Sequence, residues 1–274
     1  MNYPLLTSDE ISRYFLRIGF HGGAAADLST LQALHRLHPK ALAFENLDSW
    51  CGRTPSLATE AVFDKLVVQE RGGYCFEQNQ LFLRVLRTLG FQVHTLAARV
   101  IAPERLLPRT HMVLLVEAAD SQWLVDVGFG GMTMTAPLQL HASDSQPTPH
   151  EPWQLQAVDA EYVVSALVGN ERQAKFSFGL ARQIAADYDM ANFVVANLPD
   201  SRFRHDLIAA RTDAAGRHAL ENTRLSYHRS GLPSQHQNLA TPAATLQALQ
   251  QVFGINTAGI DGLEQRVAKL FAAS

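Results

Sequence analysis

The sequence predicts an α+β protein in which helices and strands occupy separate stretches of the chain, and three observations carry that expectation. Apolar residues recur at helical spacing through the first third, the period shortens to that of strands after Gly90, and helix-start signals return near the end. With 274 residues the chain is longer than one ordinary core needs, so two or three units are expected.

The first helix opens on a capping box, Thr7 followed by Glu10, and presents Ile11, Tyr14, Phe15 and Ile18 on one face before Gly19 stops it. A second runs from about Leu28 to Leu37 and is expected to end before Pro39, whose ring clashes with the preceding turn. A third starts near Thr59 with Val62, Phe63, Leu66 and Val67 on one side. Arg71-Gly72-Gly73 breaks that pattern, and a fourth helix begins around Cys75, carrying Asn79, Phe82, Leu86 and Leu89 as a stripe.

Beyond Gly90 the stretches Phe91 to Ile101, His111 to Glu117 and Gln122 to Val127 are rich in Val, Leu and Thr, as strands are. The last two form a hairpin through Ala118 to Ser121, so His111 opens one strand, Asp126 closes the next, and the two are expected to meet. Further strands run from Trp153 to Phe178, with turns near Asp159 and at Gly169-Asn170, and the middle region reads as a small barrel or sandwich. A short helix from Ala185 to Val195 leads to strands near Leu207 and from Leu220 to Tyr227. Thr241 with Pro242, then Asp261 with Glu264, start two closing helices.

Charge is nearly balanced, 23 Lys and Arg against 26 Asp and Glu for a net charge of -3, which makes nucleic acid and anionic membrane poor candidates for partners. Met1 to Glu10 shows no basic stretch followed by an apolar one, and no window approaches a membrane span, so a cytoplasmic chain is expected. Two cysteines, Cys51 and Cys75, are too few for a disulfide framework and lack metal-ligand spacing, so no metal is expected.

Cys75 follows a glycine turn at a helix start, where the helix's positive end favours thiolate over thiol; an upstream arginine and two glycines that would let substrate approach add to that setting. Cys51, in Trp50-Cys51-Gly52-Arg53, has no such context and reads as a packing residue. His111 stands out among eleven histidines by opening a strand, while His35 and His38 read as helix residues. Asp126 sits inside Leu124-Val125-Asp126-Val127, and a carboxylate buried there needs a partner: an imidazole would serve, and a structural Asp capping a turn into Gly128 is the alternative. A Cys, a His and an Asp together make covalent acyl chemistry the leading reading. Gly128-Phe129-Gly130-Gly131 would let a backbone approach a phosphate or a pantetheine arm, although it lacks the Lys-Ser/Thr of a phosphate-binding loop.

Taken together, Phe44-Glu45-Asn46-Leu47, Arg71 to Asn79, Thr110-His111 and Val125 to Gly130 resemble the arylamine N-acetyltransferase family, as do the 36 residues from Cys75 to His111 and the 15 to Asp126. The likeness covers nearly the whole chain, thinning after Pro199 to Pro199-Asp200-Ser201-Arg202-Phe203 and Val252-Phe253-Gly254-Ile255. It implies a helical domain over residues 1–89, a β-barrel domain over 90–195 and a small α/β lid domain over 196–274, around a papain-like cysteine core. It also implies that acetyl-CoA, a co-substrate rather than a tightly bound cofactor, acetylates Cys75 with His111 and Asp126 as its catalytic partners, and that an arylamine, arylhydrazine or N-hydroxyarylamine takes the acetyl group. Phe44 and Phe129 would line the acceptor pocket, while Gly128, Gly130, Gly131 and Ser201 would contact CoA. The residues themselves leave other readings open: a papain-like or transglutaminase-like hydrolase of peptide amides, an amide synthase on a tethered polyketide, or a binding protein that retains the fold. A homodimer is likewise left open.

Overall fold

The computed structural model describes residues 3–272 apart from Pro103 and Asn170, so Met1, Asn2 and the second residue of the Gly169-Asn170 turn lie outside the described residues. Helix α1 (Ser8–Ile18) is capped as expected: Thr7 accepts from the Glu10 N–H, the Glu10 carboxylate accepts from the Thr7 N–H, and Gly19 ends it at φ 69°. Helix α2 (Leu28–Ala41) continues past the expected stop and holds Pro39 within its last turn. Burial explains the extension, because His38 and Pro39 are both inaccessible and His38 is held between the Tyr14 hydroxyl (2.8 Å) and Gln78 (2.7 Å). That packing outweighs one missing backbone hydrogen bond.

A two-residue strand β1 (Phe44–Glu45) and a short helix α3 (Leu47–Trp50) follow, neither of them marked by sequence periodicity. Helix α4 (Thr59–Phe63) passes directly into a π turn, Asp64–Val68, with Val62, Phe63, Leu66 and Val67 buried as expected. Helix α5 (Cys75–Thr88) is buried on every side from Cys75 to Leu86 rather than along a single stripe.

Helix α5 lies against a seven-stranded antiparallel sheet that is nearly closed into a barrel. Its strands are β2 (Gln92–Val100), β3 (His111–Ala118), β4 (Ser121–Val125), β5 (Leu138–Gln139), β6 (Trp153–Val158), β7 (Glu161–Val168) and β8 (Glu171–Arg182), in the order β5-β4-β3-β2-β8-β7-β6, with a Gln146–Trp153 bridge between the ends. Both faces of β3 are covered: Met112, Leu114 and Val116 join the core under α5, while Val113 and Leu115 point into the barrel with Leu96, Trp153, Phe176 and Phe178. A strand buried on both faces reads as a continuous apolar run, and the alternation puts His111 on the barrel side. The β3–β4 turn is tight, with Ala119 and Asp120 at φ 49° and 54°, the signature of a two-residue primed turn.

Helix α6 (Ala185–Asn197) and the short α7 (Arg202–His205) lead to a second antiparallel sheet made of β9 (Ile208–Thr212), β10 (Arg217–Glu221), β11 (Arg224–His228) and β12 (Gln235–Asn238). The stretch expected as one strand from Leu220 to Tyr227 is two, because Asn222 at φ 54° turns the chain between β10 and β11. Strand β12 escapes sequence reading, being polar and exposed throughout. Strand β1 completes this sheet by pairing Phe44 with Ala210 and Glu45 with Ala209. Thr241 caps α8 (Pro242–Gln251) through the Ala244 N–H as expected. Asp261 does not start the last helix: α9 (Leu263–Ala272) begins two residues later, its first full turn closed by Arg266 N–H to the Gly262 carbonyl.

Candidate active site

Cys75 is the first residue of α5, so its N–H has no intrahelical acceptor and its thiol meets the helix's positive end. Three consecutive polar residues fix that helix start from within the core. Glu77 reaches back to accept from the Tyr74 N–H (3.0 Å) and binds Lys65 (2.7 Å). Gln78 donates to the Ala43 carbonyl (2.8 Å) and meets His38, while Asn79 donates to the Met112 carbonyl (2.8 Å) and to Asp126 (3.0 Å) and accepts from the Val127 N–H (3.1 Å).

Arg71, expected beside the thiol, commits its guanidinium to Glu45 (2.9 Å) and Asp48 (3.1 Å) instead. Lys65 joins them through Asp48 at 2.7 Å, which sets two cations against the carboxylates of Glu45, Asp48 and Glu77. Burial pushes Glu77 up to about 7 despite Lys65. The glycines upstream serve packing rather than substrate approach: a Cβ at Gly72 would lie 2.2 Å from the Ala43 carbonyl oxygen, and one at Gly73 would lie 2.8 Å from the Glu77 carboxylate.

His111 and Asp126 meet as expected, with Nε2 2.7 Å from Oδ2. They are not direct cross-strand partners. β4 leaves the ladder at Val125, opposite Leu114, so Asp126 falls just beyond the strand and reaches His111 diagonally on the barrel face. Asp126 is fully buried, and its other oxygen accepts from Asn79 and from the Gly128 N–H (2.9 Å). Burial alone would disfavour the imidazolium, yet the Asp126 charge overrides it and pushes His111 up to about 10. Burial likewise opposes the carboxylate, but the attraction of His111 and these donors holds Asp126 below its ordinary value. With Nε2 bound to Asp126, Nδ1 is the nitrogen left to exchange a proton, and the nearby Cys75 adds to the upward pull on that ring. The Cys75 sulfur also lies 3.8 Å from the Thr110 carbonyl oxygen.

Phe129 stands edge-on to His111 with ring centroids 5.1 Å apart, and Phe176 closes on both rings at 5.2 Å. Phe44 packs between Gly130, where a Cβ would lie 3.5 Å from its ring, and Phe203 of α7 at 6.1 Å. Gly130 has φ 91°, a conformation that favours glycine, and a side chain at Gly131 would meet open space. Gly128 differs: its missing side chain makes room for Cys75 itself. The Ser201 hydroxyl bonds the Val195 carbonyl at the start of α7. Cys51 is half-buried beside the core of the second sheet, and burial raises its thiol. A surface cleft of about 640 Å³ around Glu117 to Gln122 and His141 contains none of the candidate residues.

Two contributors escaped the sequence reading of roles. Asn79 carries no role in the sequence, where it stands in the helix stripe and at the end of the Arg71–Asn79 motif, although an amide one turn from the cysteine is itself a signal. His35 occupies the same buried face of α2 as Leu31, Leu34 and His38, and its Nε2 accepts from the Asp126 backbone N–H at 3.3 Å.

A family model described as N-acetyltransferase matches residues 27–261. The arylamine N-acetyltransferase of Escherichia coli is 40% identical over 254 residues, 92% of this chain and 89% of that protein. The arylamine N-acetyltransferase / N-hydroxyarylamine O-acetyltransferase of Salmonella typhimurium is 39% identical, covering 88% of this chain and 87% of its own. A Mycobacterium marinum arylamine N-acetyltransferase solved in complex with CoA superposes with a TM-score of 0.91 at 37% identity, over 95% of this chain and 99% of that one. Fold and relatives define the class: the protein is an acyltransferase. The chain belongs to the arylamine N-acetyltransferase family.

Proposed function

We propose that this chain moves an acetyl group from acetyl-CoA to arylamines, arylhydrazines or N-hydroxyarylamines through an acetyl-Cys75 intermediate. The observation that carries the reading is the buried hydrogen bond between His111 and Asp126 beside a cysteine at a helix start, in a member of this family. In the first half-reaction the thiol proton already rests on Nδ1 of His111, the Cys75 thiolate bonds to the thioester carbonyl carbon, and the bond to CoA sulfur breaks as His111 gives that proton to the leaving sulfur. In the second, the acceptor nitrogen or oxygen attacks the acetyl carbon, gives its proton to His111, and releases Cys75. Asp126 holds the imidazole's orientation and stabilises the imidazolium, and the Cys75 N–H, free of a helical acceptor, serves as one oxyanion donor.

Phe44 and Phe129 are proposed to hold the aromatic acceptor by stacking, a role supported by their places on either side of Gly130 and beside His111. Gly128, Gly130, Gly131 and Ser201 are proposed along the CoA arm, with the open space at Gly131 as the support for that stretch. We assign residues 1–89, 90–195 and 196–274 to a helical domain, a β-barrel domain and an α/β lid around a papain-like core, a division supported by three hydrophobic clusters, the largest drawn mainly from residues 6–93, another from residues 96–178 and a third mainly from residues 207–267. Among the described residues no helix is long and apolar enough to cross a membrane, and a cytoplasmic setting fits a CoA-dependent reaction.

Mixing the protein with acetyl-CoA and no acceptor tests the reading. A near-stoichiometric burst of CoA is expected, with one acetyl group located on the Cys75 peptide. Parallel double-reciprocal lines should follow when acetyl-CoA and an arylamine are both varied. Intersecting lines with no acetylated Cys75 under single-turnover conditions would mean direct transfer and would remove the cysteine from its role.

A further inference from the structure

We infer that His35 is a positioning residue for this transfer: its unprotonated Nε2 holds the backbone N–H of Asp126 and so sets the carboxylate against His111. The inference deepens the acyl-transfer reading and rests on it for its kinetic consequence, though not for its structural one.

Asp126 lies one residue past the end of β4, where its N–H has left the ladder and needs an acceptor in a dry interior. His35, itself fully buried on α2, supplies one at 3.3 Å. The carboxylate is held by His111, Asn79 and Gly128, so His35 fastens the remaining backbone donor of the residue from the opposite element. An accepting Nε2 requires that Nδ1 carry the ring proton. Nδ1 is buried and has no hydrogen-bond partner among the described residues. Pro39, four residues on, has no N–H with which to close the usual helical bond to the His35 carbonyl.

Neutrality matters as much as the tautomer. The groups facing His35 are Asp126 beyond β4, His38 on its own helix and the edge of Phe82 on α5. A charged His35 would turn a donor toward the Asp126 N–H and compete with His111 for the carboxylate. Burial prevents this, pushing His35 down to about 4 against the pull of Asp126.

Nitrogen-15 spectra of the wild-type imidazoles, with His35 assigned through its own backbone, are expected to show a neutral, Nδ1-protonated ring from about pH 6 to 8. An Nε2-protonated ring or an imidazolium would overturn the inference whether or not the protein takes up acetyl. The kinetic arm compares His35→Gln, which keeps an oxygen acceptor, with His35→Leu, which keeps only bulk. Single-turnover acetylation of Cys75 by saturating acetyl-CoA should slow about 10-fold or more in His35→Leu, with the half-saturating acetyl-CoA concentration nearly unchanged, and His35→Gln should recover most of the rate. Equal rates in the two variants would reduce His35 to packing. Failure of the wild type to be acetylated would instead defeat the proposed function, and the tautomer would still decide the role of His35.

Discussion

Gly128 and Cys75 touch backbone to backbone: a Cβ placed on Gly128 would lie 2.8 Å from the Cys75 Cα. The segment that follows Asp126 therefore rests directly on the start of α5, and the distance between base and nucleophile is set by the absence of one methyl group. Gly128→Ala should force the two elements apart. A stability loss of about 1–3 kcal/mol is expected from the overpacking, together with slower acetylation of Cys75. Thermal melting and single-turnover rates on the variant check both, and an unchanged rate would show that the contact does not govern the site.

Replacing Asp126 by Asn puts an amide where three donors converge, from His111, Asn79 and Gly128. An amide offers only one accepting oxygen, so a donor must be left facing a donor. In a serine-protease triad the corresponding change costs about 10⁴-fold in rate, and a loss of that order is expected here. Circular dichroism must accompany the kinetics, because the same conflict also destabilises the fold.

The pair also predicts how stability varies with pH. His111 is raised from 6.5 to about 10, so its contribution is complete below its unfolded value and disappears as pH rises through about 10. Asp126 is lowered, so its contribution is present above the ordinary carboxylate value and disappears as pH falls through its folded one. Urea denaturation between about pH 6.5 and 10 should therefore show wild-type stability declining by a few kcal/mol, with a flatter profile for His111→Gln. Equal slopes would count against the ion pair.

The two cysteines should behave oppositely. Cys51 packs beside the second sheet with a thiol raised by burial, whereas Cys75 adjoins His111. Cys75→Ala is expected to abolish transfer, and Cys51→Ala to leave most of it. Mass mapping of the acetylated peptide in each variant decides the matter, and comparable losses in both would overturn the assignment.

The sequence by itself determined the features that depend on near neighbours in the chain. The Thr7–Glu10 and Thr241–Pro242 helix starts, the apolar run of β3, the tight Ala119-Asp120 turn and the placement of Cys75 in a first turn all follow from spacing within a few residues. Even the meeting of His111 with Asp126 was legible, because a short hairpin leaves few registers. Tertiary structure alone decided what burial and long-range pairing control. It carried α2 through Pro39 to seat His38, formed β1 out of Phe44 and Glu45 only because β9 lay waiting some 160 residues on, and drew Arg71 away from the thiol into the Glu45–Asp48 network. The same packing turned Gly72, Gly73 and Gly128 into points of close approach and set His35 beneath Asp126. Local propensity amounts to a few tenths of a kcal/mol per residue, while burying a polar group without a partner costs about 1–3 kcal/mol, so where the two conflict it is the global packing that places the site.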